Sequence, residues 1–134
     1  MTDSLSIFIA QLDPTVGDIA GNLGRLRDAW REAKAAHADL VVASELFVAG
    51  YPPEDLVLKP AFVAACEAAV KDFARELQDG PAVLLGTPWH QDGKIYNAAA
   101  LLDGQGYGFL NRRAGRCAPR RGGCEHLDGR TAGR

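Results

Sequence analysis

Alternation of apolar and polar residues at the start of the chain predicts a β-strand. Over Ser4–Leu12, the residues Leu5, Ile7 and Ile9 share one face, and we expect little exposed surface on this strand. A second pattern follows at Leu40–Ala43, where the apolar run is continuous. Such a run is typical of a strand covered on both faces.

Two later apolar blocks, Ala82–Leu85 and Ile95–Leu102, predict two more strands. The segment Thr87–Lys94 joins them and contains Asp92-Gly93, a strong signal for a hairpin turn. These strands are therefore expected to be antiparallel neighbours.

The two segments between the first three predicted strands have apolar residues at helical spacing. Asn22 is predicted to cap a first helix, whose apolar positions include Leu23, Leu26, Trp30, Ala33 and His37. Pro60, an acceptable first-turn residue, opens a second helix that runs to Leu77 and ends before Gln78–Pro81. The order β-α-β-α-β-β predicts right-handed crossovers and an α/β or α+β fold.

Charge divides the chain into two compositions. Residues 1–110 carry 8 basic and 15 acidic side chains, whereas residues 111–134 carry 7 arginines against Glu125 and Asp128. Leu127 is the only large aliphatic residue after Leu110, so we expect 111–134 to be a disordered Arg/Gly-rich tail. GC-rich codons read out of frame give such residues, which suggests a frameshift near Gly104–Gly108.

Composition and sequence pattern also exclude several classes of protein. No apolar run approaches the roughly 18 residues needed to cross a membrane, and the segment Met1–Leu12 lacks the features of a signal peptide. The three cysteines follow no recognised disulfide spacing. We therefore expect a cytoplasmic protein.

Glu45 is the strongest candidate for chemistry, because it follows a predicted buried strand and precedes the rigid segment Gly50-Tyr51-Pro52-Pro53. Carboxyl ends of strands are where sites of α/β proteins gather, and a glutamate partly excluded from water there is suited to accept a proton. The local sequence alone nevertheless favours a solvated or capping glutamate.

Three long motifs resemble a known family. They are Gln11–Asn22 (Gln-Leu-Asp-Pro-Thr-Val-Gly-Asp-Ile-Ala-Gly-Asn), Glu45–Leu58 with its Gly-Tyr-Pro-Pro-Glu-Asp-Leu core, and Tyr96–Leu101. Together they resemble the nitrilase-type glutaminase (carbon-nitrogen hydrolase) domain that begins bacterial glutamine-dependent NAD synthetases. The resemblance implies the N-terminal half of an α-β-β-α sandwich over residues 4–110, in a chain that is truncated or frameshifted.

The same resemblance implies a Glu-Lys-Cys triad, in which the cysteine attacks the glutamine side-chain amide, the glutamate is the base and the lysine stabilises the intermediate. Glu45 matches the glutamate. No lysine follows Lys94, and Cys124-Glu125-His126 lacks the apolar-Cys-Glu-Asp context of the family's nucleophile. We therefore expect Glu45 as the single triad member and no activity from the chain alone.

The sequence context of the other cysteines, histidines and polar residues predicts structural roles or no role at all. Cys66 lies on the apolar stripe of the second helix, which predicts a buried structural thiol. Cys117, Cys124 and His126 are too few and too widely spaced for a metal site, and His37 and His90 have no clustered partners. Further residues beside the site are expected to be structural: Tyr51, Pro52 and Pro53 would fix the loop next to Glu45, and Asn97 would satisfy backbone groups at a strand end.

Two alternative functions stay open: one differs in substrate, and the other belongs to a different class of protein. The chain could belong to another nitrilase-superfamily amidase, or it could be a non-catalytic module whose basic tail contacts nucleic acid, although the tail lacks aromatic residues for base stacking. By resemblance, intact relatives use glutamine as substrate, use ATP and Mg²⁺ in a separate synthetase domain, and form homo-oligomers; the chain itself is expected to bind no cofactor. A half-sandwich should expose an apolar sheet face and edge, and be marginally stable or aggregation-prone.

Overall fold

The computed structural model describes residues 4–114, which form a mixed five-stranded sheet with two helices on one face. The elements are β1 (Ile7–Ile9), α1 (Ile19–Ala35), β2 (Leu40–Val42), a 3₁₀ helix (Glu54–Leu58), α2 (Pro60–Glu76), β3 (Ala82–Gln91), β4 (Lys94–Asp103) and β5 (Gly106–Ala114). The strands follow chain order across the sheet. β1, β2 and β3 are parallel, and β4 and β5 are antiparallel additions.

The core lies between the sheet and both helices. Side chains of α1 and α2 share one buried cluster with alternate residues of the strands, among them Val41, Val83, Leu85, Ala100 and Leu102. Successive residues of a strand point to opposite faces, so the other half of each strand points away from the helices. The sheet is consequently covered on one face by the described residues.

This one-sided cover corrects two expectations. β1 was expected to have little exposed surface, yet Ile7 and Ile9 are 48% and 65% exposed. β2 was expected to be covered on both faces, whereas Val41 is buried and its neighbours Leu40 and Val42 are only half-buried. The apolar pattern identified the strands correctly, but it does not reveal whether a second layer is present within the same stretch of chain.

The two helices occur where periodicity predicted them. Pro60 occupies the first turn of α2 as expected. The cap of α1 is a correction: Asp18, rather than Asn22, accepts the Gly21 backbone N–H at 3.0 Å. Asn22 lies inside the helix instead. Its fully buried side-chain amide forms hydrogen bonds with Thr15 and Val48, which belong to two different loops.

The predicted β3–β4 hairpin is confirmed, with Asp92 and Gly93 both at positive φ in the turn. Its strands are longer than expected, since pairing continues through Thr87–Gln91, which the sequence placed in the connection. β5 was not predicted, because its glycines interrupt the alternation. It also extends to Ala114, so four residues assigned to the tail pair with β4. The remainder of the predicted tail, 115–134, lies outside the described residues.

Cys66 confirms the prediction of a structural thiol. It is fully buried in α2, and burial raises the pKa of its thiol to about 12. Among the described residues, no helix has the length and apolarity needed to cross a membrane.

The Cys66 thiol predicts a loss of stability in alkaline solution. The unfolded thiol ionises near its ordinary pKa of about 9 while the folded thiol stays protonated, so the free energy of unfolding should fall from about pH 9 towards about pH 12. Urea unfolding of a Cys117→Ser/Cys124→Ser chain across this range measures the slope. The same chain with Cys66→Ala is the control and should show a shallower fall; equal slopes would contradict the assignment.

Candidate functional site

Glu45 lies in a turn directly after β2, at the carboxyl end of the parallel part of the sheet. The turn is fastened to the next strand by two backbone hydrogen bonds: Gly86 N–H donates to the Ser44 carbonyl, and Val48 N–H donates to the Gly86 carbonyl, each at 3.2 Å. Leu46 adopts a positive φ of 50° within this turn. That conformation is strained for a residue with a branched side chain, so the surrounding contacts must hold it.

Gly86 allows this close approach. A Cβ atom at position 86 would lie 2.2 Å from the Leu46 backbone nitrogen and 2.7 Å from the Ser44 carbonyl oxygen. No side chain fits in that space without moving the turn. Gly86 directly follows the apolar block Ala82–Leu85, and a glycine in such a strand pattern is the sequence signal for a close backbone approach.

The Glu45 carboxylate meets Asn97 of β4. The Asn97 amide donates a hydrogen bond to Glu45 Oε1 at 2.5 Å, across 52 positions of sequence. Asn97 was expected to satisfy backbone groups at a strand end; instead it lies within β4 and holds the candidate base. Its position is explained by register: Asn97 and Ala99 lie on the face away from the helices, where the turn passes over Gly86.

Glu45 is exposed among the described residues, so partial exclusion from water, the condition that suits a glutamate to accept a proton, is not met by these residues alone. The carboxylate borders an open cleft of ≈ 350 Å³ on the uncovered face of the sheet. Its lining comes from the end of β2 and the middle of β3 and β4: Ala43, Ser44, Glu45, Leu84, Leu85, Gly86, Asn97, Ala98 and Ala99. A hydrogen-bonded carboxylate in such a cleft can accept a proton from a group that enters from the open side.

A second support connects the Glu45 turn to the loop that precedes α1. The Asn22 side chain donates to the Thr15 and Val48 carbonyls at 2.8 and 3.2 Å and accepts the Thr15 N–H at 2.7 Å. Gly17 N–H adds a bond to the Ala49 carbonyl at 2.9 Å. The buried amide therefore links the loop that begins the first motif to the segment that follows Glu45.

The other sequence candidates do not join the site. Pro53 is buried and Tyr51 is exposed in the loop after the turn, where Tyr51-Pro52 is a cis peptide. His37 and His90 are exposed and do not line the cleft beside Glu45. Within the described part of the chain no cluster of His, Cys, Asp and Glu is arranged to hold a metal ion. Cys117, Cys124 and His126 lie outside the described residues.

The comparisons with known proteins agree with the resemblance noted in the sequence. Residues 7–116 match the family model described as carbon-nitrogen hydrolase, past the predicted frameshift at Gly104–Gly108. The glutamine-dependent NAD(+) synthetase of Rhodobacter capsulatus is 46% identical over 102 residues, which are 76% of this chain and 18% of that protein. The chain thus spans about a fifth of the length of such relatives.

Solved structures give the same fold. The glutamine-dependent NAD(+) synthetase of Cytophaga hutchinsonii superposes with a TM-score of 0.75 at 28% identity, over 81% of this chain and 19% of that chain. An amidase of the nitrilase superfamily from Nesterenkonia superposes with a TM-score of 0.64 at 24% identity, over 87% and 45% of the two chains. The described residues therefore form one helix layer and one sheet of a nitrilase-like fold, as predicted.

The contact at Gly86 predicts a large effect of one methyl group. Gly86→Ala should lower the free energy of unfolding by about 1–3 kcal/mol or more, because the turn must move or the strand must bend. Gly24→Ala is the matched control, since its Cβ would meet nothing within 4 Å in the interior of α1. It should stabilise by about 0.5–1 kcal/mol. Urea unfolding midpoints measure both, and equal effects would contradict the close contact.

Proposed function

This chain belongs to the carbon-nitrogen hydrolase family, and from that premise we propose that it supplies the general-base half of a glutamine-hydrolysing site. In this proposal Glu45 is the base and Asn97 positions its carboxylate. The hydrogen bond between them, on the uncovered face at the end of β2, is the observation that carries the proposal. The similarity to glutamine-dependent NAD(+) synthetases supports glutamine as the substrate.

The proposed chemistry is a covalent amide hydrolysis. Glu45 takes the proton of a cysteine thiol, and the sulfur forms a bond to the amide carbon of glutamine while a lysine stabilises the negative oxygen. The carbon–nitrogen bond then breaks, and Glu45 returns the proton to the departing nitrogen as ammonia. Water hydrolyses the remaining thioester, again with Glu45 as base, and releases glutamate.

Cys66 is unsuitable as the nucleophile in this scheme. It is buried in the helix layer, on the opposite side of the sheet from Glu45, and its raised pKa keeps it a thiol at neutral pH. The proposal therefore places the cysteine and lysine outside residues 4–110, and the 134-residue chain alone is expected to be inactive. The ammonia would serve the amidation of deamido-NAD, with ATP and Mg²⁺ bound by a synthetase domain that this chain does not span.

Glu45 alone does not determine which amide is hydrolysed. The competing proposal is therefore an amidase that acts on an amide other than glutamine. The amide carbon and the base would be the same, and only the acyl group would differ. Nucleic-acid binding by the basic segment concerns mainly residues 115–134, which lie outside those described, and it stays a prediction. A cytoplasmic location likewise stays a prediction.

A chimera tests the assignment. Residues 7–110 of this chain replace the matching segment of the Rhodobacter capsulatus synthetase, and NAD formation is measured with glutamine or with ammonia as nitrogen donor. Glu45→Gln should lower the glutamine-dependent rate by about 10²- to 10⁴-fold, because the base is lost. The ammonia-dependent rate should stay within about twofold, since that route bypasses the amide hydrolysis.

Glu32→Gln in the exposed part of α1 is the matched control and should leave both rates unchanged. If Glu45→Gln lowers both rates equally, the residue is structural. If the chimera uses ammonia but hydrolyses a different amide in preference to glutamine, the amidase alternative replaces the present proposal.

A further inference from the structure

The turn that carries Glu45 is held at both ends by one residue of β3. The Gly86 N–H donates to the Ser44 carbonyl, and the Gly86 carbonyl accepts the Val48 N–H. Between these two bonds Leu46 has a φ of 50°, a conformation that residues with a side chain rarely adopt. Such a conformation persists only where the surrounding contacts hold it. The position of Glu45 therefore depends on how firmly the Val48 end of the turn is fixed.

Val48 has a second anchor on α1. Its carbonyl accepts a hydrogen bond from the Asn22 side-chain amide at 3.2 Å, and both residues are fully buried. The same amide donates to the Thr15 carbonyl at 2.8 Å and accepts the Thr15 N–H at 2.7 Å, so its donors and its acceptor all have partners. Val48 is consequently tied to β3 through its N–H and to α1 through its carbonyl.

Asparagine is an unfavourable residue for this position of α1. Inside a helix it is less stable than alanine or leucine, and its amide must be taken out of water. The buried residues that follow it on the same helix, Leu23 and Leu26, are apolar. An aliphatic side chain would serve burial equally well. What the amide adds is direction, because hydrogen bonds fix the geometry of the groups that they join, whereas apolar contact has no preferred direction.

A close backbone contact lies beside this link. Gly50 has a φ of 81°, and a Cβ atom there would lie 2.5 Å from the Val16 Cα atom. The Gly17 N–H donates to the Ala49 carbonyl at 2.9 Å next to the contact. The loop before α1 is therefore seated directly on the segment that follows Glu45, and the Asn22 side chain joins both of them to the helix.

We propose that Asn22 is a positioning residue for proton transfer by Glu45. It acts through Val48, whose carbonyl the amide fixes, so that the turn keeps the Glu45 carboxylate beside Asn97. Without the amide, that carbonyl has no partner in the core, and the turn relaxes towards a less strained conformation at Leu46. The carboxylate then moves, and a displacement of about 1 Å can lower a rate by about 100-fold. This inference rests on the proposed function and adds to it a residue that does not touch the substrate.

A double-mutant cycle in the synthetase chimera tests the proposal. Asn22→Ala should lower kcat for glutamine by about 10- to 100-fold and leave KM within about threefold, because it displaces the base and not the substrate. In the Glu45→Gln background the same substitution should change kcat by less than about twofold, since the base on which Asn22 acts is already absent. A smaller fraction of folded enzyme would instead lower kcat equally in both backgrounds.

Trp30→Phe is the matched control. Trp30 is a buried residue of the same helix, and its Nε1–H donates to the Pro81 carbonyl at 2.8 Å. The substitution likewise leaves a carbonyl without its side-chain donor, but this carbonyl lies just before the first residue of β3, away from Gly86 and the Glu45 turn. We expect kcat to stay within about twofold of the parent in both backgrounds.

Asn22→Asp is the milder variant, because it keeps the shape and the acceptor for the Thr15 N–H and removes the amide N–H groups. It should repeat the pattern of Asn22→Ala, and circular dichroism checks that each variant is folded. The inference is overturned by an unchanged kcat, by equal losses in the two Glu45 backgrounds, by an equal loss in Trp30→Phe, or by failure of both Asn22 variants to fold. Glu45→Gln alone decides the proposed function: if it leaves the glutamine-dependent rate unchanged, that function fails whatever the Asn22 variants show.

Discussion

The close backbone contact at Gly86 is the constraint on which the candidate site depends. It brings the Ser44–Leu46 turn against β3, where two hydrogen bonds fix the turn and a positive φ at Leu46 redirects the chain. Glu45 is carried over the sheet by this turn and reaches Asn97 on the next strand. A side chain at position 86 would separate the turn from the strand, and the carboxylate would lose its partner.

Asn22 makes the same region rigid from the other side. Its buried amide uses both its donor and its acceptor, and it ties the loop before α1 to the segment after Glu45. Leaving such groups unpaired in the core would cost about 1–3 kcal/mol each, so the two loops keep a fixed relation. Two of the motifs that resemble the glutaminase family are therefore parts of one supporting structure.

The position of the site and the one-sided cover of the sheet have a common origin. Both helices occupy one face, so the open face presents a row of aliphatic side chains from four neighbouring strands, Ile9, Val42, Leu84 and Leu101, together with Glu45 and Asn97. A layer that packs on this face would both bury the row and border the carboxylate.

The sequence by itself determined the features that depend on neighbouring residues. Periodicity and turn chemistry located α2 behind Pro60 and the hairpin at Asp92-Gly93, because helix spacing and turn geometry are encoded within a few positions. Motif resemblance selected Glu45 and the family. Periodicity did not predict the exposure of Ile9, since an alternating strand looks the same whether one or two layers cover it; an exposed apolar sheet face was expected only from the family resemblance.

Only the tertiary structure decided which distant residues cooperate. Asn97 looked like a local strand-end residue and Asn22 like a helix cap, because each has the usual side chain for that role. Asn97 meets Glu45, 52 positions away, and Asn22 reaches Val48, 26 positions away, in addition to Thr15 seven positions away. The two long-range contacts form only after the crossovers bring the strands together. Hydrogen bonds of this range, and the glycine contact that allows them, depend on how the elements pack, which local sequence patterns do not encode.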